Sequence, residues 1–244
     1  MTKHLDFRIV PTDDGSKSIF HPLYKTLYHS HWGALQESRH IFLQAGLNYF
    51  IENSPTLPSS EIRIFEMGFG TGLNALLSLH WAIQNNNVLR YHTIEKYPVP
   101  LHVVNDLEYF KLLQDASNSL SQDDLLRYFI QMHQAMIQSL PTVMLHPNFQ
   151  FFPIHGDILS STLPSNIDLV FYDAFAPDCQ QDLWTEALLL KVYQRMNPNA
   201  ILVTFCAQGA FKRRLKKVGF HVTSPSGPIG KREITRAIKP PNGF

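Results

Sequence analysis

The sequence predicts an α/β domain with a mostly parallel, seven-stranded sheet covered by helices on both faces. Three observations carry this. Short apolar runs of strand length alternate with stretches of helical spacing. Four of those runs close on an acid or lead into one: Glu66, Glu95, Asp157 and Asp173. The first run, residues 62–67, leads into Gly68-Phe69-Gly70-Thr71-Gly72 and then into a helical pattern over 73–83. Glycines at such a turn take positive φ and let backbone approach a ligand closely. The helix start adds exposed amide donors. Ligands of such sheets bind at the carboxyl ends of the strands, where the four acids fall.

The elements run as follows. Residues 7–11 and 18–21 read as two short strands around the turn signal Asp13-Asp14-Gly15. An aromatic stretch with Tyr24, Tyr28 and Trp32 leads into a helix over 34–50, whose apolar face is Ile41, Phe42, Ala45 and Tyr49. The three aromatics suit a substrate pocket or core packing. Residues 53–60, rich in Pro and Ser, read as a linker. The sheet strands are 62–67, 90–94, 149–154, 167–172 and 200–205, with 220–223 and 232–238 supplying the last two. Residues 98–148 exceed a simple crossover and read as a helical insertion, either an RNA contact or a core cover. The expected organisation is an N-terminal extension, 1–60, packed on a core domain, 61–244.

Composition bounds the function. A chain of 244 residues with 44% hydrophobic content can bury a full core. Two cysteines make neither a disulfide framework nor a metal pattern, and the twelve histidines are scattered, so no metal is expected. With no signal peptide and no long apolar span, no membrane association is expected and the cytoplasm is the default compartment. The oligomeric state is open; a monomer suffices. From Ala207 to Phe244 there are nine Lys or Arg against one acid, a surplus of eight. With +1 overall, residues 1–206 carry −7. That asymmetry points to a polyanionic partner or to a solvated helix face.

The glycine loop has two readings. A dinucleotide fingerprint wants G-x-G-x-x-G. Here the third glycine comes one residue early, and Glu66 would repel a pyrophosphate but suits an ammonium. E-x-G-x-G-x-G resembles the first motif of class I, Rossmann-like S-adenosyl-L-methionine (SAM) methyltransferases. Glu95, 23 residues after Gly72, can accept both hydroxyls of a ribose in either reading. Asp157, after Gly156, can accept from an adenine amino group. Asp173-Ala174-Phe175-Ala176-Pro177 leaves a buried strand at its carboxyl end. Asp173 can orient or deprotonate an amine nucleophile, or cap the helix near Asp182. Phe175 can stack on a base, and Pro177 stiffens the loop.

Together these residues resemble the methyltransferase part of the MnmC family of tRNA-modifying enzymes and its stand-alone, MnmD-type homologues. The resemblance runs nearly full length. It rests on Gln36-Glu37-Ser38-Arg39-His40, on Glu66-Met67-Gly68-Phe69-Gly70-Thr71-Gly72-Leu73-Asn74 and on Glu95-Lys96-Tyr97-Pro98. Gly156-Asp157, the segment Asp173 to Pro177 with Leu183-Trp184, and Gly230-Lys231-Arg232-Glu233 complete it. It implies SAM-dependent conversion of 5-aminomethyl(-2-thio)uridine to 5-methylaminomethyl(-2-thio)uridine at the tRNA wobble position. It further implies that Glu66, Gly68, Gly70, Gly72 and Asn74 hold the methionine part, with Glu95, Lys96 and Asp157 on the nucleoside. Asp173 would be catalytic, with Glu37, Phe175 and Pro177 on the substrate side. Arg213, Arg214, Lys231 and Arg232 would meet tRNA phosphates.

The sequence departs from the family pattern at Ala174, which replaces a glycine, at Asp178 to Gln181, and at Gly227-Pro228-Ile229-Gly230. No FAD-dependent half is present in the sequence, so no FAD and no removal of a carboxymethyl group are expected. The competing readings are an amine or protein N-methyltransferase, an NAD-dependent oxidoreductase, and a non-catalytic SAM- or tRNA-binding module.

Overall fold

The computed structural model describes residues 6–54, 61–113 and 120–241. Strands β1 (Arg8–Pro11), β2 (Lys17–His21) and β3 (Thr26–Leu27) form a small antiparallel sheet. Its first turn is tied down by Asp14, whose carboxylate accepts from the Ser16 and Gln36 amides at 3.0 and 2.9 Å. The expected helix over 34–50 is three joined pieces. Helix α1 (Ala34–Ser38) and helix α2 (Tyr49–Asn53) flank a wider stretch, Arg39–Asn48, in which hydrogen bonds span five residues. Residues 55–60 of the expected linker lie outside the described residues.

The main sheet has eight strands, not seven. The chain lays down β4 (Ile62–Met67), β5 (Leu89–Glu95), β6 (Val143–His146), β7 (Phe149–His155), β8 (Ile167–Tyr172), β9 (Met196–Thr204), β10 (His221–Thr223) and β11 (Thr235–Ile238). Their spatial order is β10-β11-β9-β8-β4-β5-β7-β6. The five central strands are parallel, and β6, β10 and β11 are antiparallel. The strand missing from the sequence reading is β6. It is four residues long, lies at the edge and exposes Met144, so it carries no apolar alternation.

Each central strand buries both faces, with side chains alternating between them. Ile64, Leu169 and Phe171 point to the face covered by the 34–53 helical segment, α3 (Leu73–Gln84) and α5 (Gln122–Ile137). Phe65, Met67, Val170 and Tyr172 point to the face covered by α6 (Glu186–Tyr193) and α7 (Gly209–Val218). Helix α5 starts at a reciprocal capping box between Ser121 and Asp124 and packs on β7 and α3. Residues 98–148 thus hold this core-covering helix, the short α4 (Leu101–Asn105) and β6; residues 114–119 are outside the described set.

From β4 the chain steps outward through β5 to β7, then returns to β8 on the other side of β4. The strand order reverses between β4 and β8, which opens a crevice at their carboxyl ends.

Candidate functional site

That crevice is a cavity of about 600 Å³, within the range that holds a cofactor and a small substrate. Its floor is the loop from β4 into α3. Gly68 has φ +92°, and a Cβ there would lie 2.7 Å from the Asp173 carbonyl oxygen. Only glycine allows the loops after β4 and β8 to touch, and the Asp173 amide donates to Met67 O across that junction (3.1 Å). At Gly70 a Cβ would meet the Tyr28 ring at 2.9 Å. Gly72, also at positive φ, leads into α3, where Leu73 and Asn74 line the cavity.

Glu95, at the end of β5, ties the floor to the wall. One carboxylate oxygen accepts from the Gly70 amide at 3.0 Å and the other from the Tyr97 amide at 2.8 Å. Lone pairs remain on both for further donors. Asp157, after β7, accepts from the Leu159 amide (3.0 Å) and from Lys96 Nζ (2.9 Å), linking the loops after β5 and β7.

The far wall faces Asp173. Its carboxylate accepts from Asn74 Nδ2 at 2.8 Å. Burial pushes its pKa up to about 7; the negative Glu37 adds to the rise, while Asn74 and Lys231 oppose it. Next to it, Phe175 packs in an aromatic cluster with His21, Tyr24 and Tyr28, at centroid separations of 5.3, 4.9 and 4.9 Å. The small N-terminal sheet therefore supplies one side of the cavity. Trp184 Nε1 donates to Phe175 O at 2.8 Å, and the Phe175 amide donates to Gln180 Oε1 at 3.0 Å. Pro177 lies outside the cavity lining, inside the turn in which the Cys179 and Gln180 amides donate to Ala176 O.

Several expected residues sit elsewhere. Glu66 was expected to meet an ammonium, but it is 0% exposed and does not line the cavity. Strand alternation is the reason: Glu66 shares the face of Ile64, under α3, where it accepts from Thr93 Oγ1 at 2.8 Å. Lys231 was expected to meet phosphate, but it turns into the cavity. Its Nζ pairs with Glu37 Oε1 at 2.5 Å and lies 4.4 Å from the Phe205 ring centroid. Arg214 Nη1 donates to Trp184 O at 3.0 Å, a tie within the fold. Arg213 and Arg232 are exposed and outside the cavity. Tyr24 and Tyr28 line it, while Trp32 lies against Gly230 and is 43% exposed.

No local pattern marks His29, which hydrogen-bonds Thr71 Oγ1 through Nε2 at 2.7 Å within the lining. Burial lowers the pKa of His21 and His29 from 6.5 to about 4, and of His133 to about 3. These folded values lie below the unfolded one. Their contribution to stability is complete above pH 6.5 and is lost as pH falls toward 4. Asp173, raised to about 7, works in the opposite direction over the same range. His92 is likewise lowered to about 4 and His146 is lowered too, so among the described residues five histidines stand against three raised carboxyls, Glu66, Asp168 and Asp173; the melting temperature is expected to fall between pH 7 and pH 4, as thermal unfolding followed by circular dichroism would show.

Among the described residues no group of three or more His, Cys, Asp or Glu side chains is arranged to hold a metal. No helix among them is long and apolar enough to cross a membrane. The cavity's chemistry fits SAM. Carboxylates with free lone pairs suit hydroxyl and amino donors. Aromatic faces suit a cationic centre, and the start of α3 suits a carboxylate.

Comparison with known proteins agrees. A family model described as S-adenosyl-L-methionine-dependent methyltransferase matches residues 125–240. The bifunctional protein MnmC of tRNA 5-methylaminomethyl-2-thiouridine biosynthesis from Methylobacillus flagellatus is 30% identical over 214 residues, covering 85% of this chain and 32% of that protein. The MnmC protein of Ectopseudomonas mendocina is 31% identical over 225 residues, covering 86% and 32%. The chain thus spans about a third of the length of these relatives. The crystal structure of MNMC2 from Aquifex aeolicus superposes with a TM-score of 0.71 at 24% identity, over 99% of this chain and 74% of that one. The spermidine synthase of Thermotoga maritima follows at 0.53 and 12%, over 97% and 69%. Both structural matches speak for the fold. With a Rossmann-like sheet and a glycine-floored cavity at its switch point, the chain is similar to the S-adenosyl-L-methionine-dependent methyltransferases, whose family model matches its residues 125–240.

Proposed function

We propose that this chain methylates the primary amine of 5-aminomethyl(-2-thio)uridine at the tRNA wobble position, giving the 5-methylaminomethyl nucleoside. The observation that carries the reading is Asp173, a carboxyl with pKa near 7 held by Asn74 at the glycine floor. A primary alkylamine is protonated at neutral pH and must lose a proton before its lone pair can attack. A carboxylate that titrates near neutrality can take that proton and orient the nitrogen. When bound, SAM supplies an electrophilic methyl group. The chain's own residues align and desolvate. Glu95 and Asp157 hold the nucleoside part, the loop from Gly68 to Asn74 holds the methionine part, and Phe175 with Tyr24 and Tyr28 offers ring faces to the uracil. The relatives' name, tRNA 5-methylaminomethyl-2-thiouridine biosynthesis, supports the substrate, and a tRNA substrate supports work in the cytoplasm.

The test is incubation with labelled SAM and tRNA carrying the aminomethyl nucleoside, followed by nucleoside mass spectrometry. A mass gain of one methylene on that nucleoside is expected; label found only on protein or free amines would replace the reading.

Of the four cations first assigned to tRNA phosphates, Arg213 and Arg232 stay exposed. Reversing both, R213E with R232E, is expected to weaken tRNA binding about tenfold and to reduce the salt slope by roughly 1.5. Filter binding at several salt concentrations measures both, with SAM affinity unchanged. An unaltered slope would make these two arginines a solvated face.

A further inference from the structure

We infer that Glu66 acts as a neutral, proton-bearing positioning residue: it donates to the Asn74 carboxamide oxygen and thereby fixes the amide that holds Asp173. The argument starts from three oxygen atoms. Glu66 Oε2 is satisfied by Thr93 Oγ1 at 2.8 Å. Glu66 Oε1 and Asn74 Oδ1 are both buried and unpaired, as is the Tyr91 hydroxyl that lies beside Glu66. The two side chains are neighbours within hydrogen-bonding reach. Asn74 spends Nδ2 on Asp173, so its oxygen faces the other way. Two buried acceptors in contact each forfeit a hydrogen bond and repel. The Tyr91 hydroxyl can donate to Oε1 but leaves Asn74 Oδ1 unmet; one proton on Oε1 serves Asn74 while the same oxygen still accepts from Tyr91.

The alternative arrangement shows why the proton matters. With Glu66 ionised, the Asn74 amide turns, gives Nδ2 to Glu66 and sets Oδ1 against the Asp173 carboxylate. The protonation state of Glu66 therefore selects the amide orientation that supports Asp173. The surroundings favour the proton. Glu66 is fully buried on β4, and burial lifts its pKa well above the carboxylate range; the negative Asp173 adds to the rise, and the hydrogen bonds of Thr93, Asn74 and Tyr91 oppose it without cancelling it. The titratable groups facing Glu66 are Tyr91 on β5 and Asp173. Those facing Asp173 are Glu37 from α1 and Lys231. No cation faces Glu66 among these. The inference rests on Asp173 as the residue that meets the amine, but its test reads Asp173 itself and does not depend on which amine is methylated.

Three measurements decide it. The infrared difference between wild type and E66Q at neutral pH should show a protonated carboxyl band lost with Glu66; a carboxylate band overturns the inference. Glutamine keeps an acceptor for Thr93 and a donor for Asn74. E66Q should therefore bind SAM within about twofold of wild type and keep the Asp173 titration seen by carbon NMR. A loss of SAM affinity of about tenfold or more in E66Q would instead make Glu66 a charged contact to the cofactor. In E66A, which removes the donor, the Asp173 midpoint should rise and the pH–rate limb should move with it. An unmoved midpoint in folded E66A overturns the inference. If E66A does not fold, E66L serves the same arm, because it keeps the volume and removes the donor.

Discussion

Replacing Asp173 by asparagine lowers methyl transfer by about 10²–10⁴-fold, the usual contribution of a positioned proton acceptor. Binding of SAM stays within a few-fold of wild type. The separation follows from geometry. Asn74 Nδ2 donates to Asp173 Oδ2, and an asparagine oxygen accepts the same bond, so the floor of the cavity keeps its shape. The Asp173 backbone, whose amide donates to Met67 O and whose carbonyl crosses Gly68, is untouched by the change. What disappears is a group able to take a proton. The wild-type rate should rise with pH through about 7, where Asp173 ionises, and the variant should lack that limb. Calorimetry showing that D173N no longer binds SAM would move Asp173 from the amine to the cofactor.

The second large effect lies below the site. Trp184 is fully buried among Tyr172, Phe205 and Phe211, at centroid distances of 5.1, 6.1 and 4.8 Å. Cutting it to alanine is expected to cost about 3–5 kcal/mol, the range for an aromatic removed from a packed core. For a chain of this size that lowers the melting temperature by roughly 6–20 °C. Trp184 has a second task, because its indole N–H donates to Phe175 O and so anchors the loop that carries Asp173 and Phe175. W184F separates the two. It keeps most of the packing but leaves Phe175 O without its donor. It should lose about 1–3 kcal/mol and lower turnover more than its stability alone implies. A W184F enzyme of normal stability and normal turnover would show that the indole bond has no part in holding the loop.

Much of this architecture was written locally. The runs at 62–67 and 167–172 matched β4 and β8 in full, because both are short, apolar and bounded by acids or glycines. The placement of Glu95, Asp157 and Asp173 at strand ends followed from the same pattern. What escaped was decided by distance. Lys231 belongs to a basic run that reads as surface, and only its pairing with Glu37, far away in the chain, turns it inward. His29 has no local signature, and its partner Thr71 is 42 residues on. Glu66 is the instructive case. The motif assigns it to the cofactor, while the two-residue period of β4 sets its side chain in the layer under α3. The edge strand β6 escapes the reading because four residues, one exposed and one buried, are too few to carry a period.

The aromatic wall of the cavity has a kinetic meaning. His21 and Tyr24 meet Phe175 about 150 positions later in the chain, and Trp32 meets Gly230 later still. Contacts of such long sequence separation form late, because a large loop must close before they return any energy. During synthesis the small N-terminal sheet must wait for β8 and its loop before its rings are covered. Closure of the substrate wall is thus expected late in folding, and substrate affinity is expected to fall before cofactor affinity when contacts of the N-terminal sheet are weakened.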